Sequence, residues 1–540
     1  MSRPNPATLF GFLVVLLLIL GGALIAKDGL YIAKHEGDTL HLMQIVFRMA
    51  SGEWPHLDFM TPIGALATAP IVFFVNQGVG IGHAIIYSQV LIAAALLPAA
   101  WWIGTSRLGP WLAYFFGAVI LILTLALVHG EANSSVSVSM HYNRWAWALA
   151  FIAIAIALLP PIHRKSPLVD GVLLGGSLAA LAMIKVTYFA AFAIPILLAL
   201  MLRKQFKTLL IAAAVGLIAV AIITVFAGVE FWRAYFIDLL RVALSDVRPN
   251  PGRPFGAVIG APLYLGGSLV AIGSVIALRQ AGEDVGGIVL LLLTPAFFYV
   301  TYQNFGNDPQ WLLLLAVLVL AFRPEVGVLN NFGWDMRSVL GILGAVTLAF
   351  SAPSFLNLAY SPFRHLAADA ESYAPMLPRG GVHADLYTKS VRAYRADGKI
   401  ALDEPGGGLE AYVELAERDE IGTLLGETLP RCELQLGLTA WFTAIVTDLE
   451  EHGHADGARI FAADLFSSHW LFGDLQPLEN GAPWFYGGLP GFRSADYVLV
   501  PLCPVSIEVR SKILKLIEDA PDVTLTEVRR TPLYILLEKG

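Results

Sequence analysis

Two carboxylates, Glu36 and Asp38, stand one glycine apart in the stretch Lys34-His35-Glu36-Gly37-Asp38-Thr39-Leu40-His41, just after a long apolar run at 9–26. A carboxylate held near a membrane surface can take the proton of a hydroxyl or amine as that group attacks an electrophile. Basic side chains can stabilise a phosphate as it leaves. For that role the chain offers Arg48, Arg144, Lys185 and the loop arginines Arg233, Arg241, Arg248 and Arg253. Gly37 would let the backbone turn sharply between the two acids. Both acids would also serve as caps on the helix that follows, and on residue type alone the two readings stand side by side.

Further polar groups gather in other loops. His141-Tyr142-Asn143-Arg144 closes a second polar loop and enters a helix, a good place for side chains to face a cavity. There an arginine can also simply snorkel. The amides of Asn304 and Asn307, with Asp308, suit sugar hydroxyls and equally suit a plain turn. Asp58 lies one short loop from the acids, and Lys185 stands at a span boundary. His35 and His41 flank the acids, so a divalent metal on Glu36, Asp38 and a histidine is conceivable. No ligand spacing here is diagnostic, and neither a metal nor another cofactor is expected.

These groups must be positioned by membrane helices. Apolar residues make up 56% of the chain and charged residues 14%, with a mean hydropathy of +0.67. A soluble domain carries about a quarter charged residues, so a polytopic α-helical membrane protein is expected. Runs of spanning length follow the first at 81–103, 111–128, 145–159, 168–184, 187–202, 209–227, 257–278, 285–300, 311–322 and 339–351, giving about eleven spans. The run at 62–75 is short, opens with Pro62 and reads as a re-entrant or interfacial piece. With a cytoplasmic N-terminus and eleven crossings, Arg107, His163-Arg164-Lys165, Arg203-Lys204, Arg279, Arg323 and Arg337 all fall inside. The long polar loops then share the outer face.

From Asp38 onward the first outer loop (27–61) reads as a helix with an apolar body. Asp38, His41, Gln44, Arg48 and Ser51 fall three, four or seven apart, on one polar stripe. Such a helix lies flat at a membrane interface. After Pro353 charge and turn signals rise, which divides the chain into a membrane module at 1–355 and a soluble extracytoplasmic α/β domain at 356–540. Strands are expected at 459–463, 497–502, 523–528 and 533–537, and helices at 438–449 and 507–518. The aromatic segment 470–488 fits core packing better than sugar binding. Cys432 and Cys503 show no metal or haem spacing and could pair if the tail is outside the cytoplasm.

The order of these elements resembles the GT-C superfamily of membrane glycosyltransferases, which includes protein O-mannosyltransferases and lipid A aminoarabinose transferases. The resemblance rests on Glu36-Gly37-Asp38, the helix from Thr39, Gly52-Glu53-Trp54-Pro55, Asp58-Phe59-Met60-Thr61-Pro62-Ile63-Gly64 and Ala182-Met183-Ile184-Lys185. It implies an inverting enzyme of a bacterial-type inner membrane, with the C-terminal domain outside. A polyprenyl-phosphate sugar is the implied donor, and an envelope glycan, lipid or protein the acceptor. The implied general base is Asp38, with Glu36 as its neighbour. His41, Arg48, Asp58, His141, Tyr142, Asn143, Arg144, Lys185, Asn304, Asn307 and Asp308 are the candidate substrate contacts. The chain departs from the commonest family form by lacking adjacent acids and a Lys-Pro-Pro, which leaves donor sugar and acceptor open. Membrane lipids are expected partners and nucleic acid is not. The competing readings are a transporter or flippase of lipid-linked saccharides and a non-catalytic envelope-assembly protein.

Overall fold

The computed structural model describes residues 3–130, 133–245, 247, 254–304, 307–403, 407–415, 421–520 and 523–540. Its first helix, α1 (Pro6–Ile25), starts where Asn5 Oδ1 accepts from the amides of Ala7 and Thr8 and Pro6 opens the first turn. Strand β1 (Leu30–Ile32) and helices α2 (Glu36–Ala50) and α3 (Ala69–Val75) follow before the next long helix. At seven residues α3 is about 10 Å long, far too short to cross a bilayer.

The remaining membrane-type helices are α4 (Ile81–Arg107), α5 (Pro110–Leu125), α6 (His141–Leu158), α7 (Pro167–Ile184), α8 (Val186–Leu202) and α9 (Phe206–Ala227). Helix α10 (Glu230–Ala243), the short α11 (Phe255–Gly260), α12 (Pro262–Gln280), α13 (Asp284–Tyr302), α14 (Trp311–Ala321) and α15 (Met336–Leu366) complete the set. Among the described residues, seven helices (α1, α4, α7, α9, α12, α13 and α15) are long and apolar enough to cross a membrane, and α5, α8 and α14 are shorter apolar helices. With α6, these account for all eleven expected runs. Burial separates their roles. Helices α6 and α14 are buried on nearly every face and form the bundle interior. Helix α9 buries only Thr208 and Ala212, so its apolar surface is the lipid side. Helix α7 meets α9 through Gly171 and Gly175, where a Cβ would come within 2.5 Å of Ile211 and of the Ala212 carbonyl. Small residues four apart let two membrane helices approach that closely.

Three boundaries differ from expectation. The run at 257–278 is broken at Ala261, whose extended backbone (ψ 135°) is what Pro262 imposes on the residue before it. Helix α15 continues to Leu366 through Pro353 and Pro362, so a division at 355/356 falls inside a helix. Proline removes one backbone bond, and a packed membrane helix tolerates that loss. Helix α2 begins at Glu36, two residues before Asp38, after His35 in the left-handed region (φ 68°).

The C-terminal part contains β2 (Tyr373–Pro375), β3 (Leu386–Lys389), α16 (Ser390–Tyr394), β4 (Gly398–Ile400), β5 (Thr423–Leu424), β6 (Glu427–Thr428), β7 (Cys432–Leu434) and α17 (Leu438–Glu451). Strand β8 (Ala458–Ala462), β9 (Leu475–Gln476), β10 (Tyr497–Pro501), α18 (Ile507–Glu518), β11 (Leu525–Arg530) and β12 (Tyr534–Lys539) follow. The main sheet has the order β11-β12-β10-β8-β9, mixed in direction. A disulfide joins Cys432 to Cys503. A second sheet, β1-β3-β2, draws the first loop of the membrane module into this domain, with β1 parallel to β3. The two expected domains are therefore tied at residues 30–32.

Candidate active site

Asp38 sits in the first turn of α2 and opens into a cavity of about 460 Å³. Gly37 is helical, and the reason for glycine there is packing: a Cβ would lie 2.4 Å from the Phe466 ring. The expectation of a sharp turn at Gly37 is thus replaced by a close approach. The cavity is walled by α2 (Asp38, His41, Leu42), by Pro62 and Ile63, by Val138, Met140, His141 and Tyr142, and by the break between α7 and α8. Helix α10, Tyr299 of α13 and Gln303 at its C-terminal cap contribute, and Trp484 and Tyr486 close it from the C-terminal domain.

Lys185 occupies the break itself, extended between α7 and α8 (φ -155°, ψ 102°). Its ammonium donates to Asn143 Oδ1 at 3.0 Å and to Asn304 Oδ1, and it lies 5.6 Å from the Tyr142 ring centre. Asn143 in turn donates to Asn304 at 3.2 Å. Val186 and Thr187, the first turn of α8, also face the cavity. A helix start carries amide N–H groups without intrahelical acceptors and a favourable dipole for anions. Lys185 and this turn thus bring a cationic side chain and a helix N-terminus to the same cavity wall. Gly64 holds the break in position, since its amide donates to the Ile184 carbonyl and a Cβ would sit 2.1 Å from the Met183 oxygen.

Helix α10 forms the opposite wall and is pinned in two places. Asp238 accepts from the Thr61 amide at 3.2 Å and bonds His56 Nδ1 at 2.9 Å. The Tyr235 hydroxyl donates to the Ala182 carbonyl at 2.6 Å. Beyond Tyr486 lies a second cavity of about 720 Å³, where Arg241, Lys512 and Lys515 outnumber one acid, Asp519.

The expected site residues divide cleanly. Asp38, His41, His141, Tyr142 and Lys185 line the cavity. His41 meets Trp484 edge to face at 5.6 Å, and His141 Nε2 also bonds the Ala67 carbonyl at 3.0 Å. Asn143 and Asn304 act through Lys185. Glu36 is elsewhere: Arg392 grips both its oxygens, at 2.5 and 2.8 Å, and Thr388 donates to it at 2.8 Å. Burial pushes the Glu36 carboxyl up, and the Arg392, backbone and Thr388 bonds outweigh that, holding it below the usual carboxylate range.

Arg48 is buried against the Phe59 ring, binding Glu53 and the Asp58 and Leu478 carbonyls. Asp58 caps a turn by accepting from the Trp54 amide at 2.6 Å. Arg144 donates to the Val128 carbonyl. The Asn307 carbonyl accepts from Tyr264, and the Asp308 amide donates to the Gly130 carbonyl at 3.0 Å. Among the loop arginines, Arg233 pairs with Glu230 in the open, while Arg248 and Arg253 lie outside the described residues.

Within the polar stripe of α2, Gln44 and Arg48 are buried against protein where an interfacial helix would show them to water. Gln44 donates to Ser468 and the Pro483 carbonyl and accepts from Trp470. Trp484 and Tyr486 come from the aromatic segment expected to be core, and they both pack and line the cavity. Ser139, which bonds Asp38, and His129, which bonds Ser139, had no signal beyond membership of a polar loop. Among the described residues no three His, Cys, Asp or Glu side chains gather as metal ligands.

No family model and no curated protein sequence matches the chain. Solved structures similar to the chain include the following. ArnT from Cupriavidus metallidurans in the apo state is 10% identical with a TM-score of 0.44, over 97% of this chain and 96% of that one. The same ArnT bound to undecaprenyl phosphate is 12% identical with a TM-score of 0.40, over 97% of each chain. The mycobacterial arabinofuranosyltransferase AftD is 12% identical with a TM-score of 0.41, over all of this chain and 40% of its own length. Likenesses this weak bear on neither chemistry nor substrate.

Proposed function

We propose that this chain is an inverting glycosyltransferase of a bacterial-type inner membrane, working on the face that carries the C-terminal domain. The observation that supports it is one cavity in which a carboxylate, Asp38, shares the space with an amide-held cation, Lys185, and a helix N-terminus. A volume of about 460 Å³ is in the range of small-molecule sites. The Cys432–Cys503 disulfide fits a domain outside the reducing cytoplasm.

The donor is a sugar on a polyprenyl phosphate. Asp38 takes the proton of the acceptor hydroxyl or amine as that atom forms its bond to the anomeric carbon. The bond from that carbon to the phosphate oxygen breaks, and its electron pair leaves with the polyprenyl phosphate. Lys185 and the first turn of α8 stabilise the charge that develops there. Attack from the Asp38 side and departure on the other inverts the anomeric centre. Trp484, Tyr486 and Tyr142 supply faces for the sugar. The acceptor, an envelope glycan, lipid or protein, approaches through the second cavity beyond Tyr486.

The test is transfer from a panel of polyprenyl-phosphate pentoses and hexoses in membrane vesicles, comparing wild type with Asp38→Asn at equal protein level. Loss of a general base costs about 10²–10⁴-fold. An unimpaired variant overturns the assignment of the base. Donor that binds without being consumed favours movement of a lipid-linked saccharide instead.

A further inference from the structure

A hydrogen-bond chain runs from His129 through Ser139 and ends on Asp38. Ser139 Oγ donates to Asp38 Oδ2 at 2.5 Å and lies 2.9 Å from His129 Nδ1. A hydroxyl has one proton to give, and an ionised carboxylate only accepts. That proton therefore goes to Asp38, and His129 Nδ1 is the protonated nitrogen that donates to Ser139.

The surroundings hold this arrangement in place. Burial, with His35, Arg144, Lys34 and Lys185 close by, pushes His129 down to about 3, so its ring is neutral at any working pH. The Ser139 amide donates to Ser137 Oγ at 3.1 Å, and Ser137 Oγ lies 2.9 Å from His35 Nδ1. Arg144 anchors the carbonyl of Val128, next to His129, and Gly130 accepts from the Gln310 side chain at 3.0 Å. Met140, which follows Ser139, is left-handed (φ 50°), as is His35 before α2. Strained residues on both sides of a contact point to surroundings that over-determine it.

We propose that Ser139 and His129 are positioning residues for Asp38: His129 fixes the Ser139 hydroxyl as a donor, and Ser139 holds Asp38 Oδ2 so that the other carboxylate oxygen is turned to the cavity. This rests on Asp38 being the general base. No proton passes along the chain, and Ser139 and His129 are unchanged in each turnover. The other titratable groups that share the cavity with Asp38 are His41, His141, Tyr142, Lys185, Tyr299 and Tyr486.

The experiment titrates the Asp38 carboxyl by infrared spectroscopy, as the difference between wild type and Asp38→Asn in lipid nanodiscs, alongside transfer assays. Losing a hydrogen bond to a charged group moves a carboxyl midpoint up by about one unit. Ser139→Ala and His129→Phe are expected to show that shift, with the acid limb of kcat moving equally and KM unchanged. Ser139→Thr keeps the hydroxyl and His129→Asn keeps an N–H donor, so both restore the wild-type midpoint. A midpoint unmoved in folded Ser139→Ala overturns the proposal. So does a His129→Asn variant as impaired as His129→Phe, which would make His129 a proton carrier. If wild type consumes no donor, the base assignment fails, while the infrared midpoint still decides whether Ser139 donates to Asp38.

Discussion

Glu36 and Asp38 share one helical turn and belong to two different regions of the molecule. Glu36 lies in the seam between the membrane module and the C-terminal domain, where Arg392 and Thr388 take up its oxygens. Asp38 opens into the cavity, and the partner found for it is a neutral hydroxyl, Ser139. A carboxylate clamped by a guanidinium gives up basicity for attachment. One that is steadied by a hydroxyl keeps an oxygen with which to take a proton. The same functional group two positions apart thus does adhesion in one region and, in our reading, chemistry in the other.

The comparison can be broken by exchanging the effects. Asp38→Asn is expected to lower transfer by about 10²–10⁴-fold with thermal unfolding shifted by no more than about 0.5 kcal/mol, read by donor consumption and by scanning fluorimetry. Lys185→Met comes next, with kcat down about 10²–10³-fold, the usual cost of removing a donor at developing negative charge. Equal kcat in wild type and Lys185→Met would move the phosphate elsewhere.

Glu36→Gln should do the reverse of Asp38→Asn. Its rate per folded molecule stays within a few-fold, while stability falls by about 1–3 kcal/mol for a buried charged hydrogen bond left half-made. An Arg392→Met partner in a double-mutant cycle checks that the loss belongs to the pair. Trp484→Ala is expected to raise the donor KM about five- to tenfold with kcat little changed, as for one aromatic contact of about 1–1.5 kcal/mol.

The smallest effect is on pH. The folded Glu36 carboxyl is held below its ordinary value, so its contribution is fully present above about 4.3 and is lost as pH falls through the lower folded value. Acid unfolding of wild type should steepen in that window relative to Glu36→Gln. Matching profiles would remove Glu36 from the seam.

Much of this was legible along the chain, because lipid imposes its rule locally. A segment that crosses a bilayer must be apolar and close its own hydrogen bonds, so each of the eleven runs is helical, with the one at 257–278 broken at Ala261. In the tail, the expected helix at 507–518 is α18, and the expected strands are β8, β10, β11 and β12. Where expectation failed, a distant partner was responsible. The stripe of α2 reads as a face for water until Ser468, Pro483 and Leu478 arrive to cover Gln44 and Arg48. Arg48 and Asp58 look like ligands in sequence and are engaged with Glu53, backbone carbonyls and a turn.

By itself, then, the sequence determined that this is a many-helix membrane protein with an α/β tail and an acidic loop after its first helix. Hydropathy and short-range periodicity are properties of neighbours in the chain, and they need no tertiary knowledge. Which acid meets the cavity and which is neutralised was decided only by the fold. Arg392 lies 356 residues from Glu36 and Ser139 lies 101 from Asp38. A carboxylate's basicity is set by the charges and donors within a few ångströms, and chain separation does not predict which those are.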